Sequence, residues 1–386
     1  MGKNRKKYAL ISGLLLNDNN RGTAALGYGA IDFLVERGFL TKRHELIKIQ
    51  TYRNIFKKGN HYDYEKEYDI QGHLWKIKTF KIFYWEIFLL LRFQTTLPFS
   101  KLNGLLKQID FVAAINGGDG FSDIYGTKTF ERRLLESEIA VKAGVRHIIL
   151  PQTIGPFKEK QNLERAVRIL KNTERIYVRD RNFIKVLESL GLSYEITRDL
   201  SAYMRPQAID IKILPNSIGL NVSGLCYSNR FRSLTGQFGE YPELIDSIIS
   251  EFQKRGKHVY LIPHSYHYGD PEKENDDMEA CQKVWDKLKD KKNVYFINKN
   301  LTSPQVKYII SKMSFFVGTR MHANFAAIYS DVPVFGLAYS YKFSGAFDAN
   351  GLNGTEQTVM INNMKKSDVN TIVKKVLCVY NLLGIK

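Results

Sequence analysis

The sequence predicts an α/β protein of two domains, each a parallel sheet with crossover helices, facing one another across a cleft. Three observations carry this. Short apolar runs alternate with amphipathic stretches, as in successive βα units. The alternation stops near residues 205–216, where Pro206 and Pro215 bracket an extended segment, and then starts afresh. The length of 386 residues suits two domains of ordinary size. We therefore expect domains at 1–208 and 209–386.

In the first domain "KYALISGLLL" reads as a buried parallel strand, followed by a helix from Thr23 to Arg37 that stops at Gly38. "HELIKIQ" reads as the second strand, and "DFVAAI", "VRHIIL" and "ERIYVRD" as later ones. In the second domain "SIGLNVS", "HVYLIP", "VYFIN", "FFVG" and "VPVFGLAY" are the strands, with helices at Tyr241–Arg255 and Ser303–Lys312 among those between them. One part of the chain, about 50–100, breaks the rhythm. Its core, "HLWKIKTFKIFYWEIFLLLRFQTTLPF" (73–99), reads as a long aromatic helix carrying Lys76, Lys78, Lys81 and Arg92. Core packing and a subunit contact are its ordinary roles; an anionic membrane surface is the alternative.

Charge narrows the function classes. Lys and Arg total 57 against 39 Asp and Glu, a net +18, which favours anionic partners. The basic residues are dispersed and form no recognised nucleic-acid module, so phosphorylated metabolites or a membrane face are expected rather than nucleic acid. Cys226, Cys281 and Cys378 are scattered, which indicates a reducing, cytoplasmic setting. The basic, apolar N-terminus lacks a cleavage-site pattern and reads as a strand, and no run reaches the roughly 18 apolar residues of a membrane span.

Candidate chemistry gathers at strand ends, where open α/β sheets bind ligands. "NNRGTAALG" (19–27) joins a glycine turn to a helix start, placing Asn20 and Gly22 near free backbone N–H groups. "NGGDGFSDIYG" (116–126) brings Asp119, Ser122 and Asp123 with a glycine pair that permits close backbone approach. A carboxylate there can orient a sugar hydroxyl or cap a helix. "LPQTIGPF" contributes Gln152. In "YVRDRN" Arg179 closes a strand, where it can clamp an anion or pair with Asp180 or Asp199. Finally "GTRMHAN" (318–324) sets Gly318, Arg320 and His322 at a helix start, with Lys342 closing the next strand. Such cations make an anion pocket and should depress the pKa of His322 toward proton exchange near neutrality. "PHSYHYGD" places His264 past a strand; with His267 and Asp270 it is a weak metal pattern, and no metal is expected.

"GTRMHAN" followed by "YSYK", with "NGGDGFSDIYG", "LPQTIGP" and "VRDRNFIKVLESLGL", resembles the polysaccharide pyruvyl transferase family from the first strand to about Gly351. The resemblance implies two Rossmann-like domains in a GT-B-like arrangement. It implies transfer of pyruvate from phosphoenolpyruvate to sugar hydroxyls of a capsule, cell-wall or exopolysaccharide precursor, giving a ketal and phosphate without a cofactor. The family's R-x-H pair falls on Arg320 and His322, its later lysine on Lys342 and its R-D arginine on Arg179. Its N-terminal turn is kept at Asn20 and Gly22, but Thr23 stands where an acid is often found. We accordingly expect His322 as the catalytic residue. Arg179, His264, Gly318, Arg320 and Lys342 would hold the donor, and Asn20, Gly22, Asp119, Asp123 and Gln152 the acceptor. That acceptor is a sugar or lipid-linked glycan, which would bring the protein to the inner membrane face. The competing reading is a glycosyltransferase that uses a nucleotide-sugar donor.

Overall fold

The computed structural model describes residues 7–54, 62–382 and 384. It divides into two compact units, one of residues 1–15 and 26–203, the other of 16–25 and 204–386. Residues 16–25, expected with the first unit, pack with the second.

The first unit holds an eight-stranded sheet. Its strands are β1 (Lys7–Ser12), β2 (His44–Tyr52), β3 (Tyr64–Ile70), β4 (His73–Phe83), β5 (Ile109–Ala114), β6 (Arg146–Gln152), β7 (Arg175–Val178) and β8 (Glu195–Ile196). Their order is β3-β4-β2-β1-β5-β6-β7-β8. All pairings are parallel except β3 with β4. The helices include α1 (Arg21–Glu36), α2 (Tyr84–Phe93), α3 (Lys101–Leu106), α4 (Thr127–Ala143) and α5 (Lys160–Lys171). β1 and β5 are buried on both faces, which is why they read as unbroken apolar runs.

The segment 73–99 is not one helix. Residues 73–83 form β4, where Trp75, Ile77 and Thr79 turn inward while Leu74 and Lys76 turn out, an alternation of period two. The helix begins only at Tyr84, and Ile87 and Leu90 join Leu10, Ile47 and Ile82 in one core cluster. The antiparallel β3–β4 pair accounts for the irregular stretch expected at 50–100; residues 55–61 of it lie outside the described residues.

The second unit holds a six-stranded, wholly parallel sheet ordered β11-β10-β9-β12-β13-β14. Its strands are β9 (Ser217–Asn221), β10 (His258–Leu261), β11 (Val294–Phe296), β12 (Phe315–Gly318), β13 (Val334–Ala338) and β14 (Thr358–Met360). Two apolar clusters cover its faces, one around Ile248, Phe252 and Phe315, the other around Ile309, Phe316 and Ala327. Three of its helices position polar groups: α6 (Asp277–Lys287), α7 (Met321–Ile328) and α8 (Lys342–Asp348). The expected class, two Rossmann-like parallel-sheet α/β units, is the observed one.

Candidate active site

In the second unit four neighbouring strands end at one sheet edge. β10 leads to His264, β9 ends at Asn221, β12 leads through Gly318 to Arg320 and His322, and β13 leads to Lys342. Four of the residues expected at the donor site, and the expected catalytic histidine, therefore share the carboxyl edge of one sheet.

The edge is organised by a residue the sequence did not single out. Asp277, at the first position of α6, is fully buried. Its Oδ1 accepts from Gly224 N (2.8 Å) and from Arg320 Nη2 (2.7 Å) and Nε (3.0 Å). Its Oδ2 accepts from Ser265 N (2.9 Å), His264 N (3.1 Å) and Asn221 Nδ2 (3.3 Å). One carboxylate thus ties three strand ends together. Arg320 Nη2 also donates to the backbone and side-chain oxygens of Asn275. The Nε–Nη2 edge of Arg320, expected to clamp a ligand, faces Asp277 instead. Burial disfavours the Arg320 cation, but Asp277 outweighs it and holds its pKa above the ordinary arginine value. Arg320 N donates to Asn221 Oδ1 (2.9 Å), which orients the start of α7. Gly318 lies against the side chain of Asn324, whose Nδ2 donates to the Gly318 carbonyl (3.0 Å).

The second unrecognised residue is Arg21. It is buried, with its guanidinium 3.9 Å from the Tyr266 ring centroid. Arg21 donates to the carbonyls of Leu301 (2.9 Å), Asn19 (2.8 Å), Tyr266 (3.0 Å) and Asp18 (3.2 Å). These bonds fix the first turn of α1, aided by Asn20 Oδ1 accepting from Gly22 N (3.0 Å). Gly22 is thereby held against His322: a Cβ at position 22 would sit 2.7 Å from both Cγ and Nδ1 of the imidazole. Only glycine allows that approach. Phe325 packs edge-on to the ring, at 5.5 Å between centroids. Asn20 and Gly22, expected at the acceptor, are thus part of the His322 surroundings.

His264 is buried beside these groups. Burial pushes its pKa well below the usual histidine value, and His322, Arg21 and Arg320 push it further. At neutral pH His264 is an uncharged imidazole in a positive field. Lys342 opens α8 on the exposed side of the same edge. The edge offers an anionic ligand fixed positive charge, the N-terminus of α7 and a histidine ring with a defined orientation.

The first unit gathers its own expected residues at the ends of β5, β6 and β7. Arg179 donates to Thr153 Oγ1 (3.0 Å) and pairs with Asp199 through Nη1 (2.6 Å). Burial works against its charge and Asp199 raises its pKa above the arginine norm. Asp180 bonds Thr153 and accepts from Asn182 N (3.1 Å), a local turn rather than a helix cap. Gly118 lacks the Cβ that would meet Arg179 Nη1 at 2.9 Å, so the glycine pair makes room for a side chain. Asp119 accepts from Tyr125 Oη (2.8 Å); burial and Asp119 push that phenol up to about 12. Gln152 is fully buried and donates to the Ala114 carbonyl (2.8 Å).

Asp123, expected at the acceptor, is bonded to the start of α5. It accepts from Lys158 N (2.9 Å), Glu159 N (2.9 Å) and Asn162 Nδ2 (3.0 Å), capping the start of α5 from a distance. Burial would raise its pKa, but these donors outweigh it and hold it below the carboxylate norm. The weak metal pattern separates: His264 is buried while His267 and Asp270 lie exposed, 3.6 Å apart. Among the described residues, no group of three or more His, Cys, Asp or Glu side chains is placed to hold a metal ion.

Fold and edge together give an α/β protein whose second sheet gathers arginine, lysine and histidine at the carboxyl ends of its strands, where open α/β sheets bind ligands. The model of the polysaccharide pyruvyl transferase family matches residues 20–341. The chain belongs to that family, and is a transferase. No curated protein matches it. Among solved structures, UDP-GlcNAc 2-epimerase from Methanocaldococcus jannaschii is similar, with TM-score 0.51 and 11% identity over 97% of this chain and 92% of that one. The enzyme of the same name from Neisseria meningitidis gives 0.52 at 11% identity, covering 98% and 91%. A putative UDP-N-acetylglucosamine 2-epimerase from Listeria monocytogenes gives 0.53 at 10% identity, covering 98% and 88%. These likenesses concern the two-domain, GT-B-like fold.

Proposed function

We propose that the protein moves pyruvate from phosphoenolpyruvate onto two hydroxyls of a sugar in a cell-surface polysaccharide or glycan precursor. The observation that carries this reading is the packing of the His322 ring against Gly22 and Phe325, at an edge where Arg21, Arg320 and Lys342 bring positive charge. Phosphoenolpyruvate packs a phosphate and a carboxylate onto three carbons, so its binding demands such a field.

A proton adds to the methylene carbon and C2 becomes electrophilic. A sugar hydroxyl attacks C2 and gives up its proton, phosphate leaves, and a second hydroxyl closes the ketal with loss of another proton. His322 supplies or removes protons, a role worth about 10²- to 10⁴-fold in rate. Arg320, oriented by Asp277, contributes charge. His264, kept neutral, can accept or donate one hydrogen bond without adding a second cation. Lys342 is the exposed cation proposed to meet the phosphate. In the first unit, Asp119 and Gln152 are proposed to act on the acceptor and Arg179 on the donor, whereas the bonding of Asp123 favours a purely structural part. The chemistry draws on no redox cofactor. A cytoplasmic setting, read from three free cysteines, belongs to the same proposal.

Incubation with phosphoenolpyruvate and candidate glycans should release phosphate and add pyruvate to the glycan. His322→Ala should lower that rate by about 10²-fold or more while substrate still binds. Turnover left intact by His322→Ala would overturn the assignment. So would thermal stabilisation by nucleoside diphosphates but not by phosphoenolpyruvate.

A further inference from the structure

Outside the site, the outer face of α2 and the loop joining it to α3 present an apolar ridge. Ile87 and Leu90 face the core. On the other side Trp85, Phe93 and Leu97 are each more than half exposed, and Phe99 is fully exposed. Trp85, Phe88 and Phe93 stack edge to face, with centroids 5.1 Å and 6.2 Å apart.

The tip that carries Phe99 is rigidly built. Ser100 N donates to the Leu97 carbonyl (2.9 Å) and Asn103 Nδ2 to the Pro98 carbonyl (2.6 Å). Thr96 Oγ1 bonds Asn103 Oδ1 (3.0 Å), and Glu86 Oε2 accepts from Leu102 N (2.7 Å) at the start of α3. Ordering a loop around a bare phenyl ring gains nothing in water.

Charge says what covers the ridge. Residues 84–107 carry Arg92, Lys101 and Lys107 against the single acid Glu86, and Glu86 is turned onto the start of α3. Lys101 is shared with Asp63 (2.5 Å). Arg92 sits 5.9 Å from the Phe93 ring, on the exposed face. Protruding aromatics flanked by cations, on a chain of net +18, match the interface of a bilayer with acidic head groups. A hydrophobic protein partner would not call for the cations. Among the described residues no helix is long and apolar enough to cross a membrane, so the contact is with its surface.

We infer that this ridge docks the protein on an anionic lipid bilayer, with Phe99 as the leading wedge and Arg92 and Lys101 against the head groups. The inference does not depend on the identity of the donor.

The test is flotation of the full chain with vesicles of phosphatidylcholine alone or with one part in three phosphatidylglycerol. Binding should require the anionic lipid and weaken as salt rises. Phe99→Asp, and separately Trp85→Ala with Phe93→Ala, should each lower partitioning by about tenfold or more. Thermal midpoints should stay at the parent value because these side chains are exposed. Turnover of phosphoenolpyruvate with a water-soluble acceptor should be unchanged in Phe99→Asp, which separates this inference from the proposed reaction. Equal partitioning of parent and Phe99→Asp, or no binding to anionic vesicles at low salt, would overturn it. So would a dimer in sedimentation that Phe99→Asp dissociates without any vesicle binding, since the ridge would then cover a second copy of the chain.

Discussion

Replacing Asp277 by asparagine probes the structural centre of the proposed site. The carboxylate is fully buried and accepts from six donor atoms: Gly224 N and Arg320 Nη2 on one oxygen, Ser265 N, His264 N and Asn221 Nδ2 on the other, with Arg320 Nε near both. An amide keeps one acceptor. Whichever way it turns, its NH₂ group faces backbone donors or the guanidinium. Each stranded buried donor costs about 1–3 kcal/mol, and Arg320 is left as a buried cation without its counter-ion. Breaking a buried pair in this way costs about 3–5 kcal/mol. We expect Asp277→Asn to lose about that much in urea unfolding. Arg320→Met alone should also destabilise, because it strands the carboxylate. The double variant should recover part of the loss, giving a coupling energy of about 2 kcal/mol or more. Additivity within about 0.5 kcal/mol would refute the description of Asp277 and Arg320 as one unit.

Other consequences follow from the same contacts. Gly22→Ala forces the His322 ring away from a 2.7 Å contact, so kcat should fall by about tenfold to a hundredfold with a smaller change in KM; a parent-like kcat would contradict the seating of the ring. Asp123→Ala should cost about 2 kcal/mol or more in stability, while kcat of the surviving folded protein stays near the parent value. His147 is buried between Ser137 and Thr173, and burial pushes its pKa down to about 3. The unfolded chain takes up this proton near pH 6.5 and the folded one only near 3, so stability is lost as pH falls between those values. By pH 5 this amounts to about 2 kcal/mol. His147→Asn should flatten that part of the pH–stability curve, and an unchanged slope would show the group is not responsible.

The sheets were legible because a parallel strand buried on both faces becomes an apolar run, and βα turns punctuate it with glycine. β12 and "GTRMHAN" are such a case. The region of β3 and β4 misled because its period-two alternation runs without a break into the apolar α2, so strand and helix merge into one long amphipathic stretch. At the site, residues on one motif were readable: His322 and Arg320 lie two apart. Asp277 was not, because it meets Arg320 from 43 residues away along the chain. Arg21 was hidden for a similar reason; its acceptors are mostly main-chain carbonyls, as far off as Leu301, that leave no residue-type signal. Asp123 was ambiguous because a carboxylate in a glycine loop can either bind substrate or cap a helix, and its bonds to the start of α5 come from residues 35 or more positions away.

The central claim is that enol protonation of phosphoenolpyruvate takes place at the edge that holds His322. The most direct measurement is turnover of phosphoenolpyruvate with a diol-bearing glycan in D₂O, followed by mass spectrometry and proton NMR of the product. The account predicts a pyruvyl ketal whose methyl group carries one solvent deuteron, formed by the parent protein and lost in His322→Ala. A glycan with no ketal, or a ketal formed equally well without His322, would contradict it.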